Sequence, residues 1–166
     1  MGVFAMQYGP GAENAFSGIA TAYSDGVPML ALPLGQPTDR NGINPLFSSV
    51  NAYAPVTKSI ERISSPGQVA NVMRRAFAAL RLGHGGPAMV EIPSDLALAD
   101  VDTTVVDAYR PVHPVRSSAD PADVQRVASA LLGARHPVML CGQGVLYARA
   151  THELVELAEL LQVPVA

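Results

Sequence analysis

The chain is 166 residues long, 49% hydrophobic and 15% charged, with a formal net charge of −3. That balance describes a globular chain of one domain, or pieces of two, and excludes a disordered one. Mild acidity without a basic cluster excludes an electrostatic nucleic-acid binder, and the apolar runs fall far short of the roughly 20 residues that span a bilayer.

Val3–Met6 predicts a first buried strand. A turn, Gly9-Pro10-Gly11, follows it, and Ala12 to Tyr23 reads as a helix. A strand, a glycine turn and a helix start gather free backbone N–H groups and a partial positive charge, which suits an anion or a polar heterocycle. Met29–Leu34 predicts a second strand. Val69, Val72, Met73, Ala76, Phe77 and Leu80 recur at helical spacing, behind Ser65-Pro66-Gly67-Gln68, read as a Ser N-cap, Pro at N1 and Gln at N3. Ala88–Ile92 and Val138–Cys141 complete the strands, all four expected to be buried on both faces, as in helix-covered parallel sheets. Asp120-Pro121 opens a helix burying Val124, Val127, Leu131 and Leu132. A last helix, His152 to Gln162, buries Leu154, Leu157 and Leu161.

Alternating helices and strands predict an α/β fold of parallel sheets flanked by helices. Ser94 to Ser118 lacks lasting periodicity and carries Pro111 and Pro114. The expected organisation is two incomplete Rossmann-like or flavodoxin-like domains, 1–95 and 119–166, joined by a linker over 96–118. Met1 to Gln7 has no basic n-region, so no signal peptide is expected. Cys141 is the single cysteine, so no internal disulfide is possible, which fits a cytoplasmic location.

The ordered series Gly9-Pro10-Gly11-Ala12-x-Asn14, Gly18-Ile19-Ala20-x-Ala22-Tyr23-x-Asp25-x-x-Pro28, Gly35-Gln36, Val56-Thr57-Lys58, Arg75-Ala76-Phe77 and Gly86-Pro87-Ala88-Met89-Val90-Glu91-Ile92-Pro93-Ser94-Asp95 resembles the thiamine diphosphate-dependent enzymes of the acetolactate synthase type. Pro137 to Gly144 is similar to the first strand and glycine turn of that family's central domain. The resemblance implies the later part of a pyrimidine-binding domain followed by the opening of a central domain. It implies decarboxylation of a 2-keto acid and carboligation by the intact relative, lyase and transferase chemistry carried by the cofactor.

The resemblance also distributes roles. Gly9, Pro10, Gly11 and Asn14 would face the cofactor's aminopyrimidine; the bland alternative is an ordinary tight turn. Phe47 and Lys58 would border a substrate channel, although Ser48 replaces the glutamine that often follows the phenylalanine, and a solvated surface lysine is the alternative for Lys58. Gly142 and Gly144 would approach FAD in flavin-dependent relatives, or form a plain strand-to-helix turn. No catalytic residue is expected within these residues: the family's glutamate precedes the glycine turn, and Glu13 lies after it. Magnesium would be held by a further domain. A subunit-shared site implies a homo-oligomer, at least a dimer, with a small 2-keto acid as substrate and neither nucleic acid nor membrane as partner.

Other polar residues carry blander readings. Glu91, set among apolar residues, is expected to pair with a cation or cap a backbone group. His84, His113, His136 and His152 have no metal-ligand spacing. A rival reading of the whole chain is a non-catalytic module binding a nucleotide or FAD.

Overall fold

The computed structural model describes residues 1–115 and 117–166. They fall into two units, one spanning Met1–Val115 and a second running from beyond Val115 to Ala166. Among the described residues no helix is long and apolar enough to cross a membrane.

The first unit is built on four parallel strands: β1 (Gly2–Met6), β2 (Met29–Gly35), β3 (Ser59–Arg62) and β4 (Ala88–Pro93), in the order β1-β2-β4-β3. Helix α1 (Pro10–Ser24) connects β1 to β2. The five-residue α2 (Ser49–Tyr53) lies on the β2–β3 crossover, and α3 (Val69–Arg81) connects β3 to β4. The first two crossovers step one way across the sheet and the third steps back. Right-handed crossovers then place α1 and α2 on one face and α3 on the other.

Packing follows this division. Leu30, Ala88 and Val90 meet Val72, Ala76 and Leu80 of α3. Their neighbours Ala31 and Met89 point the opposite way, to Ala12 and Ile19 of α1 and Tyr53 of α2. Period-two alternation with both sides apolar is what a doubly covered strand requires. The expected apolar stripe of α3 is all in the first of these clusters.

Several sequence expectations need correction. β1 is not buried on both faces: only Met6 is buried, and Val3 and Phe4 are 62% and 43% exposed, because β1 ends the sheet. β3 is a strand that the apolar pattern does not predict, because Ser59-Ile60-Glu61-Arg62 holds a single apolar residue. Its side chains are only half-buried, and Glu61 receives two hydrogen bonds from Arg75, at 2.6 and 2.9 Å. A 3₁₀ turn over Pro66–Gln68 precedes α3, and the Ser65 side chain makes no capping bond. The expected linker is not featureless. It holds a 3₁₀ turn, Leu96–Leu98, and a short helix α4 (Thr103–Asp107), whose first turn is capped by Asp102 accepting from the Thr104 N–H at 2.9 Å. Five residues are too few to display a helical period.

The second unit contains α5 (Pro121–Gly133), α6 (Gly144–Ala148) and α7 (Thr151–Leu161). The helix opens at Asp120-Pro121 as expected, and Asp120 caps it, accepting from the Ala122 N–H at 2.8 Å. Val138–Cys141 forms no strand; a single parallel bridge joins Met139 to Val165. The expected buried face of α5 is open: Val124, Val127 and Leu132 are 55%, 60% and 75% exposed. Leu157 of α7 is also exposed, while Leu131, Leu154 and Leu161 are half-buried. One bridged pair of residues gives these helices too little sheet to pack against.

Candidate functional site

In a parallel α/β sheet, ligands bind beyond the carboxyl ends of the strands. Four segments of the first unit emerge there. They are the glycine turn after β1, the Gly35-Gln36 turn after β2, Ile63 after β3 and Ser94-Asp95 after β4.

The glycine turn is shaped by two residues. Gly9 has φ +62°, a left-handed conformation that glycine adopts without strain, and open space surrounds the position a Cβ would take. Pro10 opens α1 with its φ already suited to a helix. At Gly11 a Cβ would lie 2.9 Å from Cβ of Gln7, so the first helical turn rests directly on the end of β1. The Glu13 N–H reaches the Gly9 carbonyl at 2.8 Å. Pro10 has no N–H, and the cap carries no side-chain bond. The N–H groups of Gly11 and Ala12 therefore have no partner within the helix.

Tyr53 fixes this helix start from below. It is fully buried, and its hydroxyl donates to the Ala12 carbonyl; burial pushes its pKa up. Its ring lies 5.5 Å from that of Phe16. Phe47 packs on the same cluster, with Met6 and Ala12, the residues on either side of the turn. Nothing in the sequence around Tyr53 marks this role, since α2 is too short to show a period.

A second set of contacts joins the turns after β2 and β4. Thr38 donates to Asp95 from its N–H at 3.1 Å and from its hydroxyl at 2.5 Å, and the Ser94 N–H donates to the Gly35 carbonyl at 3.2 Å. The Thr38 hydroxyl is the main cause holding the Asp95 carboxyl below its usual range.

Glu91 is the buried carboxylate at this end of the sheet, 5% exposed. Its side chain lies against Gly35, where any Cβ would approach it to 2.8 Å. Arg62, its register partner on β3, sits 3.3 Å away, which matches the expected pairing with a cation. Burial raises the Glu91 pKa, while Arg62 and a hydrogen bond from Ser49 pull it down. β2 separates β4 from β1, so Glu91 stands roughly 10 Å, two strand spacings, from the glycine turn. Glu13 is exposed on α1.

Two expected site residues lie elsewhere. Lys58 precedes β3, so it belongs to the amino ends of the strands, opposite the glycine turn. Nor is it a loosely solvated lysine. Its ammonium donates to the carbonyls of Ala79 at 2.6 Å, Leu82 at 2.9 Å and His84, which closes the end of α3 and the turn into β4. The Asn14 side chain lines an open groove of about 370 Å3 with Phe4, Gly18 and Met29, along the flank of α1 rather than at the turn.

In the second unit, Gly142 and Gly144 have open space around them, and Gly144 starts the five-residue α6. Among the described residues no group of three or more His, Cys, Asp or Glu side chains is arranged to hold a metal ion.

Comparison with known proteins agrees with this arrangement. Residues 1–57 match the family model described as the thiamine pyrophosphate enzyme N-terminal TPP binding domain, and residues 124–166 match the thiamine pyrophosphate enzyme central domain. A probable acetolactate synthase large subunit of Methanocaldococcus jannaschii is 32% identical over 99% of this chain and 29% of its own length. Acetolactate synthase isozyme 3 large subunit of Escherichia coli strain K12 is 28% identical, over 99% of this chain and 30% of its own. Glyoxylate carboligase of Escherichia coli O157:H7 is 29% identical, over 95% and 27%. The chain thus spans under a third of the length of these relatives.

Proposed function

Since the chain belongs to the thiamine pyrophosphate enzyme family, we propose that its first unit forms the wall of a thiamine diphosphate site that receives the aminopyrimidine ring. One observation carries this reading. The Gly9-Pro10-Gly11 turn presents a free, partly exposed N–H group, that of Gly11, beyond the carboxyl end of a parallel sheet. The chemistry of this donor fits a flat, nitrogen-rich ring, which offers an acceptor in its plane, and the open space at Gly9 lets such a ring approach the backbone closely.

Each residue then has a limited task. Gly9 keeps the approach clear of side chains, and Gly11 lets the helix start rest on the end of β1. Tyr53 and Phe47 hold the helix start against the sheet, so the Gly11 N–H keeps its direction. The Thr38–Asp95 contacts tie down the neighbouring rim. When bound, thiamine diphosphate supplies a nucleophilic carbon and an electron sink for decarboxylation of a 2-keto acid. The proton transfer that activates it needs a carboxyl group beside the ring. Glu13 and Glu91 do not meet that need, one exposed on the helix and the other committed to Arg62 two strands away. In this reading magnesium, the activating carboxylate and the keto-acid pocket belong to other parts of a larger, subunit-shared site in a cytoplasmic enzyme. The family resemblance and the single cysteine support that wider assignment.

Two measurements test the proposal. Adding thiamine diphosphate and magnesium to the isotopically labelled chain should shift the amide signals of Gly9, Gly11 and Ala12. Shifts confined to the second unit, or none, would overturn the assignment. Carbon dioxide release from pyruvate should stay at background, and clear turnover would place an activating group among these residues.

A further inference from the structure

A second recess in the first unit is polar in one direction only. It is a cleft of about 560 Å3 between α3 and α4, with Asn71 and Arg74 on one wall and Thr104, Tyr109 and Arg110 on the other. α3 follows β3, the far edge of the sheet, and packs on the opposite face from α1, so the cleft is separate from the glycine turn.

The lining has three properties that bear on a ligand. It contains no acidic residue, although the chain is net negative. Among the described residues Arg62, Arg75 and Arg126 each meet a carboxylate, whereas neither Arg74 nor Arg110 has one within 4.0 Å. And Arg110 is anchored: its Nη1 donates to the carbonyls of Asp107 at 2.8 Å and Tyr109 at 3.0 Å. That spends the two protons on Nη1 and leaves the Nε–Nη2 side of the guanidinium, a planar fork suited to two oxygens of an anion.

Floor and size refine the class of ligand. Gly67 of the 3₁₀ turn and Ala70 of α3 make a floor of small residues, and Asn71 and Arg74 follow on the same side of α3, with the arginine at one end. Val105 and the Tyr109 ring add apolar wall. The volume far exceeds that of a bare oxyanion and leaves room for an organic body beside it.

We propose that this cleft binds a small organic phosphate, with Arg74 and Arg110 on the phosphate and Tyr109 against the body. The proposal is independent of the cofactor reading. The test is an amide-shift titration of the intact chain with AMP, with adenosine and with inorganic phosphate. AMP should move signals within 67–74 and 104–110, and adenosine should not. Arg74→Gln and Arg110→Gln should each weaken AMP binding by about tenfold or more. Arg126→Gln, a charge lost in the second unit, should bind as the parent does. Arg74→Lys keeps the charge and the helix but not the fork, so it should also weaken binding even if the glutamine variant misfolds. Absence of AMP shifts up to roughly 10 mM, a Kd beyond the millimolar range, overturns the proposal. Equal shifts with adenosine, phosphate binding without AMP binding, or unchanged affinity in both arginine variants overturns it as well.

Discussion

Gly11 and Gly18 lie on the same helix, and replacing each by alanine should move stability in opposite directions. At Gly18 a Cβ would meet nothing within 4 Å, and the residue is exposed in the helix interior. There alanine restricts the unfolded chain and propagates the helix better, a gain of about 0.5–1 kcal/mol. At Gly11 the same propensity term is smaller, because the residue stands in the first turn. Against it stands the contact with Cβ of Gln7 at 2.9 Å. A Cβ atom has no rotamer through which to retreat, so the backbone of β1 or α1 must shift, which costs roughly 1–3 kcal/mol. The steric term wins, leaving Gly11→Ala destabilised by about 0.5–2 kcal/mol. The two variants should then differ by roughly 3–12 °C in melting temperature, at about 3–4 °C per kcal/mol for a chain of this size. Circular dichroism melts of both variants, with urea titrations for free energies, give the comparison. A Gly11→Ala protein as stable as Gly18→Ala would refute the close approach of helix and strand, and with it the reason the turn requires glycine.

Two further outcomes follow from the charged groups. Lys58→Met keeps the stem but withdraws a cation from three carbonyls at the end of α3. A loss of about 1–2 kcal/mol is expected in urea unfolding, discounted for exposure. A loss under a few tenths would mean that the ammonium is solvated instead. Glu91→Gln separates burial from pairing. Burial is the larger influence, so the folded pKa stands above the unfolded value of about 4.3. A raised carboxyl pKa gives stability that is present below the unfolded pKa and lost as pH rises through the folded one. The parent should therefore lose ground to Glu91→Gln from about pH 4 upward. A parent that instead gains on the variant with rising pH would show that Arg62 outweighs burial.

What could be read in advance tracks how each element meets its surroundings. α1, α3, β2 and β4 were legible because each buries a repeating apolar face, and the glycine turn because its residue types are themselves the conformational requirement. β3 was not, since three of its four residues are polar and its place at the sheet's end lets them stay half-buried. α4 offered no repeat to detect. Lys58 stands at the amino ends of the strands, a placement that sequence order alone does not reveal. Asn14 was drawn to the turn by its nearness in sequence, though the helix carries it round to the flank beside Phe4. The exposed valines and leucines of α5 show the converse: a clear period states which face seeks cover, not whether cover is at hand.

The strand order has a consequence for how the protein is made. Among the described strands of this sheet β4 is the last to be synthesised, yet it lies between β2 and β3 and is the strand that pairs with β3. A nascent chain can join β1 to β2 early, but β3 lacks its β4 partner until Ala88–Pro93 has left the ribosome. Parallel pairing across such sequence separations is slow. At about 5–20 residues per second, the growing chain spends some seconds with Leu30 and Ile63 lacking their later neighbours, the interval in which a chaperone has most to shield.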